Sequence, residues 1–304
     1  MITFTRIRAL DLATPSAAGR PLHLSAASGL VCLDSRIYVV ADDELHLGVF
    51  GEANCEPGNL IRLFDGTLPN KPKPRKKQKP DLEALTLLPP FGDYTHGALL
   101  ALSSGSRDNR RMGAMLGLDA RGGVRGAPQI VDLSALLEPL DEWFTSPNIE
   151  GAIVCGDELR LLQRRNKQGV NAVVRYELSA VLDGLQSDRA LAIKPHTIHP
   201  FDLGQIDGIP FGFTDAAALP DGGMVFTAVA ENTDDAYLDG VCAGAAIGSA
   251  DKDGRLRWLR RLDQPHKIEG IDARQEGDVL RLLLVTDADD AGIAASLYAA
   301  TIGL

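Results

Sequence analysis

The sequence predicts an all-β fold made of five copies of one unit. Three observations carry that prediction: a motif that recurs, the spacing of its copies, and a strand-like N-terminus with no partner near it. Each copy opens on Ser, Glu, Thr or Asp, continues with a small residue and an apolar run, turns, and runs apolar again. The copies begin at Ser28-Gly-Leu-Val-Cys-Leu, Glu83-Ala-Leu-Thr-Leu-Leu, Glu150-Gly-Ala-Ile-Val-Cys, Thr214-Asp-Ala-Ala-Ala-Leu and Glu269-Gly-Ile-Asp-Ala-Arg. Asp34-Ser35, Gly156-Asp157, Asp221-Gly222-Gly223 and Gly277-Asp278 supply hairpin turns between the apolar runs.

The copies start about 55, 67, 64 and 55 residues apart, room for four strands each. Only about 35 residues follow Glu269, one strand too few. Ile2 to Leu12 reads as the missing outer strand, which closes a ring and removes a free sheet edge. The prediction is therefore a five-bladed β-propeller occupying residues 1–304 as one domain, with the N-terminal strand closing the last blade. Gly97–Ser103, Ala172–Glu177, Ala243–Ser249 and Ser296–Ile302 read as further strands. Val131–Phe144 follows a helical pattern with a kink at Pro139, and Leu178–Leu185 reads as a short helix with Ser179 as N-cap. The Pro- and Lys-rich stretch Pro69–Pro80 reads as an exposed loop.

Composition narrows the function. Of 304 residues, 45% are hydrophobic and 24% charged, enough for a large core. The net charge of −10 argues against general nucleic-acid binding, which needs a basic face. Cys32, Cys55, Cys155 and Cys242 form no CxxC pair, so a zinc site is not expected, and no spacing demands a disulfide. No apolar window is long enough for a membrane helix. Residues 1–22 show no signal-peptide pattern, so the expected location is cytoplasmic, or secreted if a leader has been removed. Nucleophile-elbow, P-loop and dinucleotide motifs are not found.

In a propeller the first strand of each blade lines the axis, so the residues that open the five copies form a ring at one mouth: Ser28, Glu83, Glu150, Thr214 or Asp215, and Glu269. Hairpin geometry brings the ends of the second strands to the same side. Those ends carry Asp42, Asp43 and Glu44; Arg107; Arg164 and Arg165; Glu231; and Asp287. Three glutamates in one ring repel one another and need neutralising. A hard divalent cation with oxygen ligands would do so, and so would ion pairs to Arg164, Arg165, Lys79 or Lys267; the residues leave both open.

The segments Ser28-Gly-Leu with Tyr38-Val-Val-Ala-Asp-Asp, Asn148-Ile-Glu-Gly-Ala with Arg164-Arg165, Phe213-Thr-Asp with Glu231-Asn232, and Lys267-Ile-Glu-Gly-Ile resemble the calcium-activated nucleotidases, or soluble apyrases. They resemble more broadly the phytase-like and esterase-like propellers. The resemblance touches all five blades, in short motifs around each inner hairpin. It implies one axial Ca2+ held by Ser28, Glu83, Glu150, Thr214 and Glu269, with Asp215 as a substitute ligand. It also implies hydrolysis of phosphate esters or anhydrides, with Asp42 and Asp43 near the substrate. No counterpart of the family's base-stacking aromatics is found, and aromatics are only 5% of the chain.

The candidate roles follow. Asp42 or Asp43 would orient water, and Arg107, Arg164 and Arg165 would hold phosphoryl charge. Lys79, Glu231, Asp287 and His266 would face the substrate, a small phosphorylated anion. Lys71–Lys79 carries six basic residues in nine and reads as a solvated loop, or else as a cationic lid. His196 and His199 stand three apart in a Pro-flanked segment and do not make a convincing metal pair. The alternative to catalysis is a propeller that binds a ligand or protein and keeps a structural central ion. Lactone or carboxyl-ester hydrolysis is a third reading.

Overall fold

The repeat folds as five antiparallel four-stranded sheets set around one axis. In chain order the inner strands are Ala27–Leu33, Leu82–Leu88, Ile149–Cys155, Gly212–Ala218 and Ile268–Glu276. The protein is thus a five-bladed β-propeller. This computed structural model describes residues 2, 4–166, 169–187, 192–232, 241–264 and 266–303. The fifth sheet is ordered Phe4–Ala9, Ser296–Gly303, Val279–Thr286, Ile268–Glu276, so the N-terminal strand closes the last blade. Phe4 pairs with Ala300 and Ala9 with Ser296.

Packing follows from strand alternation. Leu30 and Cys32 of the first inner strand enter the core shared with blade 5, while Val31 enters the core shared with blade 2. Five such cores fill the five gaps between blades. The inner strands converge so closely that a Cβ on Gly29 would lie 2.9 Å from the Leu85 backbone nitrogen, and one on Gly151 3.0 Å from Asp215 Cα. That contact explains the small residue after four of the five ring positions, Gly29, Ala84, Gly151 and Gly270.

One device recurs in all five inner strands. The ladder slips between Ala27 and Gly29, Leu82 and Ala84, Ile149 and Gly151, Phe213 and Asp215, and Ile268 and Gly270. The residue left out of register is in turn Ser28, Glu83, Glu150, Thr214 and Glu269. A bulge re-aims one side chain out of the alternation. It takes these five out of the gaps between blades, and it makes Thr214, not Asp215, the fourth equivalent.

Three local expectations change. The basic stretch contains a helix, α1 (Pro72–Gln78), rather than being a solvated loop throughout. Its Arg75 is buried and bonds Asp43 and Glu44. Val131 and Asp132 end an outer strand, Gln129–Asp132, and only Ser134–Leu137 is α-helical (α2). Pro139, which lacks an N–H, sits in the following 3-10 turn, Glu138–Glu142. Helix α3 spans Leu178–Gln186 with Glu177, not Ser179, at its N-cap. All four cysteines are free, and among the described residues no helix is long and apolar enough to cross a membrane.

Candidate functional site: the charged mouth

The five bulges stand at the starts of the inner strands, on the side where the second strands end. At that end of the axis is a cavity of about 380 Å³ lined from all five blades. Its carboxylates are Asp42 from blade 1, Asp81 and Glu83 from blade 2, Glu150 from blade 3, Glu231 from blade 4, and Glu269 and Asp287 from blade 5. Its cations are Lys76 and Lys79 from the α1 segment, Arg107 and Arg110 from blade 2, Arg164 and Arg165 from blade 3, and Lys267 from blade 5. Among the described residues, seven acids therefore meet seven bases.

The pairing is specific. Arg164 is shared by three blades: its Nη2 lies 2.9 Å from Glu231, and its Nη1 3.5 Å from Glu150 and 3.8 Å from Glu269. Lys267 lies 3.2 Å from Glu231, 3.1 Å from Asp287 and 2.6 Å from Asp289. Lys79 Nζ joins Asp42 to Asp81, 3.0 Å from the latter. Asp81 also accepts from Arg110 and from the Ser104 hydroxyl, each at 2.6 Å. Its backbone stands at φ 63°, a conformation that costs a non-glycine residue energy and is held here by those bonds.

Burial dominates the titration of the site. Desolvation pushes Glu83 and Glu269 well above the usual carboxylate range and raises Glu150, helped by the neighbouring acids. Burial raises Asp42 to about 7 against the pull of Lys79, and Asp287 to about 6 against Lys267. At Asp81, burial is outweighed by Lys79, Arg110 and the Ser104 hydrogen bond, which together hold its pKa below the usual value. Carboxyls poised near neutrality in a cleft mark functional sites.

The predicted residues divide clearly. Ser28, Glu83, Glu150 and Glu269 line the mouth, as do Asp42, Lys79, Arg107, Arg164, Arg165, Glu231 and Asp287. Thr214 does not. Its hydroxyl is fully buried, donates to the Ile268 carbonyl at 2.8 Å and bonds Thr227, so it ties blade 4 to blade 5 instead of facing a ligand. Asp215 is buried at the waist, where its Oδ2 accepts the Ile271 N–H at 3.0 Å. Asp43 pairs with Arg20 and Arg75 and is not part of the cavity wall. His266 packs against Phe4 and Tyr298, also off the cavity wall. Sequence reasoning missed Asp81, Arg110 and Lys76. Asp81 stands two residues before a ring glutamate, and that short spacing was the available signal.

The acids include one candidate cation set, Asp42, Asp81 and Glu83, two of whose members Lys79 already joins. Among the described residues, the Glu83 carboxylate has no hydrogen bond or ion pair, and Glu269 Oε1 has no hydrogen bond. One oxygen each of Asp42, Asp81 and Glu83 lie within 4.8 Å of one another. All of these are carboxylates, the ligand type calcium prefers.

Fold and site together define a five-bladed propeller with a charge-lined mouth. The chain belongs to a family of unknown function, DUF6929, whose model matches residues 23–302. Sequence comparison with curated proteins finds no match. Similar solved structures include a luciferin-regenerating enzyme, at 10% identity and TM-score 0.46 over 93% of this chain and 92% of that one. A hypothetical protein from Leishmania major matches at 10% identity and TM-score 0.48 over 99% and 91%. A glycosyl hydrolase from Bacteroides ovatus matches at 13% identity and TM-score 0.42 over 98% and 93%. Neither the family nor these structures point to apyrases or phytases in particular, and nothing about the chemistry of the mouth follows from likenesses so distant.

Proposed function

We propose that the mouth is a hydrolytic site for a small phosphate ester or anhydride, working with a divalent cation, by its ligand type calcium. The observation that carries this reading is Glu83: a carboxylate facing the cavity, grouped with Asp42 and Asp81, with no hydrogen bond or ion pair among the described residues and only the more distant pull of Lys79 and Arg164. Glu83, Glu150, Glu269 and Ser28 would hold the ion. Bound there, it would neutralise charge on a phosphoryl oxygen. Asp42, with a pKa of about 7, is suited to accept a proton from water near neutral pH. Arg107, Arg165 and Lys76 line the same cavity and suit anionic oxygens. Arg164 positions Glu150, Glu231 and Glu269 rather than the substrate.

The test is thermal unfolding with and without calcium, on the wild type, Glu83→Gln and Glu150→Ala, beside a phosphate-release screen over nucleotides and phosphomonoesters. The reading requires a calcium-dependent rise in Tm that Glu83→Gln reduces, together with turnover. No rise in the wild type defeats the cation. A rise without turnover leaves a binding propeller. Arg164 and Lys267, 3.8 Å each from Glu269, already sit among the glutamates, which is what the test with calcium must weigh against the cation.

A further inference from the structure

The axis has a second opening. At the end opposite the mouth lies a cavity of about 330 Å³, again lined by all five inner strands, with walls chiefly of Ala, Val, Leu and Ile. Among the described residues Asp272 is its one carboxylate. Asp272 Oδ2 accepts the Cys32 backbone N–H at 3.0 Å. Beneath it Asp215 is 1% exposed, next to Ala216 and bonded to the Ile271 amide, two residues that line the cavity. Asp215 Oδ1 has no hydrogen-bond partner among the described residues. The guanidinium close to Asp272 is Arg274, and it is engaged by Cys32 Sγ at 2.9 Å and Glu52 at 3.7 Å. Arg274 is thus the one cation near Asp272 among the described residues, and it stands outside the cavity wall, which holds no cation of its own.

We propose that this cavity is a second binding site, for a small molecule with a compact apolar body and a single ammonium head. Asp272 receives the head, and Leu85, Ile153, Ala217 and Ile271 receive the body. The assignment is independent of the reading of the mouth. An anion finds no cation in the wall, and a hard metal ion finds one carboxylate where it needs six or more oxygens. A protonated amine matches what is present, because a charge-assisted hydrogen bond to a half-buried carboxylate is strong and the rest of the ligand meets apolar wall. The volume, at the small end for ligand pockets, sets the size of a short alkylamine.

Calorimetric titration with n-pentylammonium, and with 1-pentanol as its uncharged counterpart, tests this. The wild type should bind the amine saturably and the alcohol much more weakly. Asp272→Asn should weaken the amine by about tenfold or more, since a charged hydrogen bond is lost. Ala217→Phe, which fills the cavity and keeps every acid, should abolish binding. Glu150→Gln, at the far mouth, should leave it unchanged. Each variant is first shown to be folded by its melting curve, and Ala217→Phe carries the test if Asp272→Asn is not. No saturable binding, equal binding in Ala217→Phe, or loss in Glu150→Gln alone each overturns the proposal.

Discussion

The two ends of the axis are built from the same five strands and have opposite chemistry. At the mouth the strands begin with a bulge, and four of the five bulged side chains, Ser28, Glu83, Glu150 and Glu269, leave the alternation to line the cavity, while Thr214 ties blade 4 to blade 5. Beyond the waist the alternation is regular, side chains enter the cores between blades, and the wall that remains is mostly apolar. Polarity here is thus set by strand register: one extra residue per strand converts a packing position into a ligand-facing one. The mouth concentrates charge and must balance it, whereas the wall at the opposite end carries the single carboxylate of Asp272 among the described residues.

Perturbations of the two ends should therefore differ in size. The largest effect is expected for Arg164→Met, which strips Glu150, Glu231 and Glu269 of their shared guanidinium. Breaking a buried charge network of this kind costs about 3–5 kcal/mol, read from urea unfolding; a loss under about 1 kcal/mol would show that the pairing does not hold the mouth together. Asp215→Ala, at the waist, leaves the Ile271 N–H unpaired and should cost about 1–3 kcal/mol.

The pH dependence is next. Asp42, Glu83, Glu150, Glu269 and Asp287 all have folded-state pKa values above their unfolded ones. The folded state binds more protons, so the contribution of these groups is full below about pH 4 and is lost as pH rises through the folded values. Without divalent cations, Tm should fall by about 5 °C between pH 5.5 and pH 8, and calcium should recover part of that fall. A flat profile would mean that Arg164, Lys79 and Lys267 already offset the burial. The smallest effect is expected at the opposite end, where Leu87 is 38% exposed: Leu87→Ala should cost under about 1 kcal/mol.

The blade count and most of the mouth were legible in the sequence because close approach of the inner strands imposes a small residue after each bulge. Gly29, Ala84, Gly151 and Gly270 therefore keep the same offset from a polar residue. Asp215 breaks that pattern, which is why Thr214 and Asp215 competed for one position until the ladder decided between them. Outer strands such as Asn59–Arg62 and Leu256–Arg261 left little trace, since exposure on both faces removes the alternation that marks a strand. Helix α1 was hidden by its own charge. Arg75 and Lys79 stand one helical turn apart and both bond inward, and a count of basic residues does not reveal that. Asp81 was missed because it precedes the repeat instead of opening it.

The closing strand has a consequence for biosynthesis. Arg6 bonds Ser296 across 290 residues of chain, so Phe4–Ala9 can dock only after Ser296–Gly303 has been translated. Blades 1 to 4 draw all their strands from contiguous sequence and can assemble in order as they emerge. The fifth sheet waits, with Phe4–Ala9 unsatisfied, until the last strand leaves the ribosome. Ring closure joins the most distant contacts in the molecule, the kind that slows folding. A circular permutant that places Phe4–Ala9 directly after Gly303 should remove that wait and refold faster than the natural chain order.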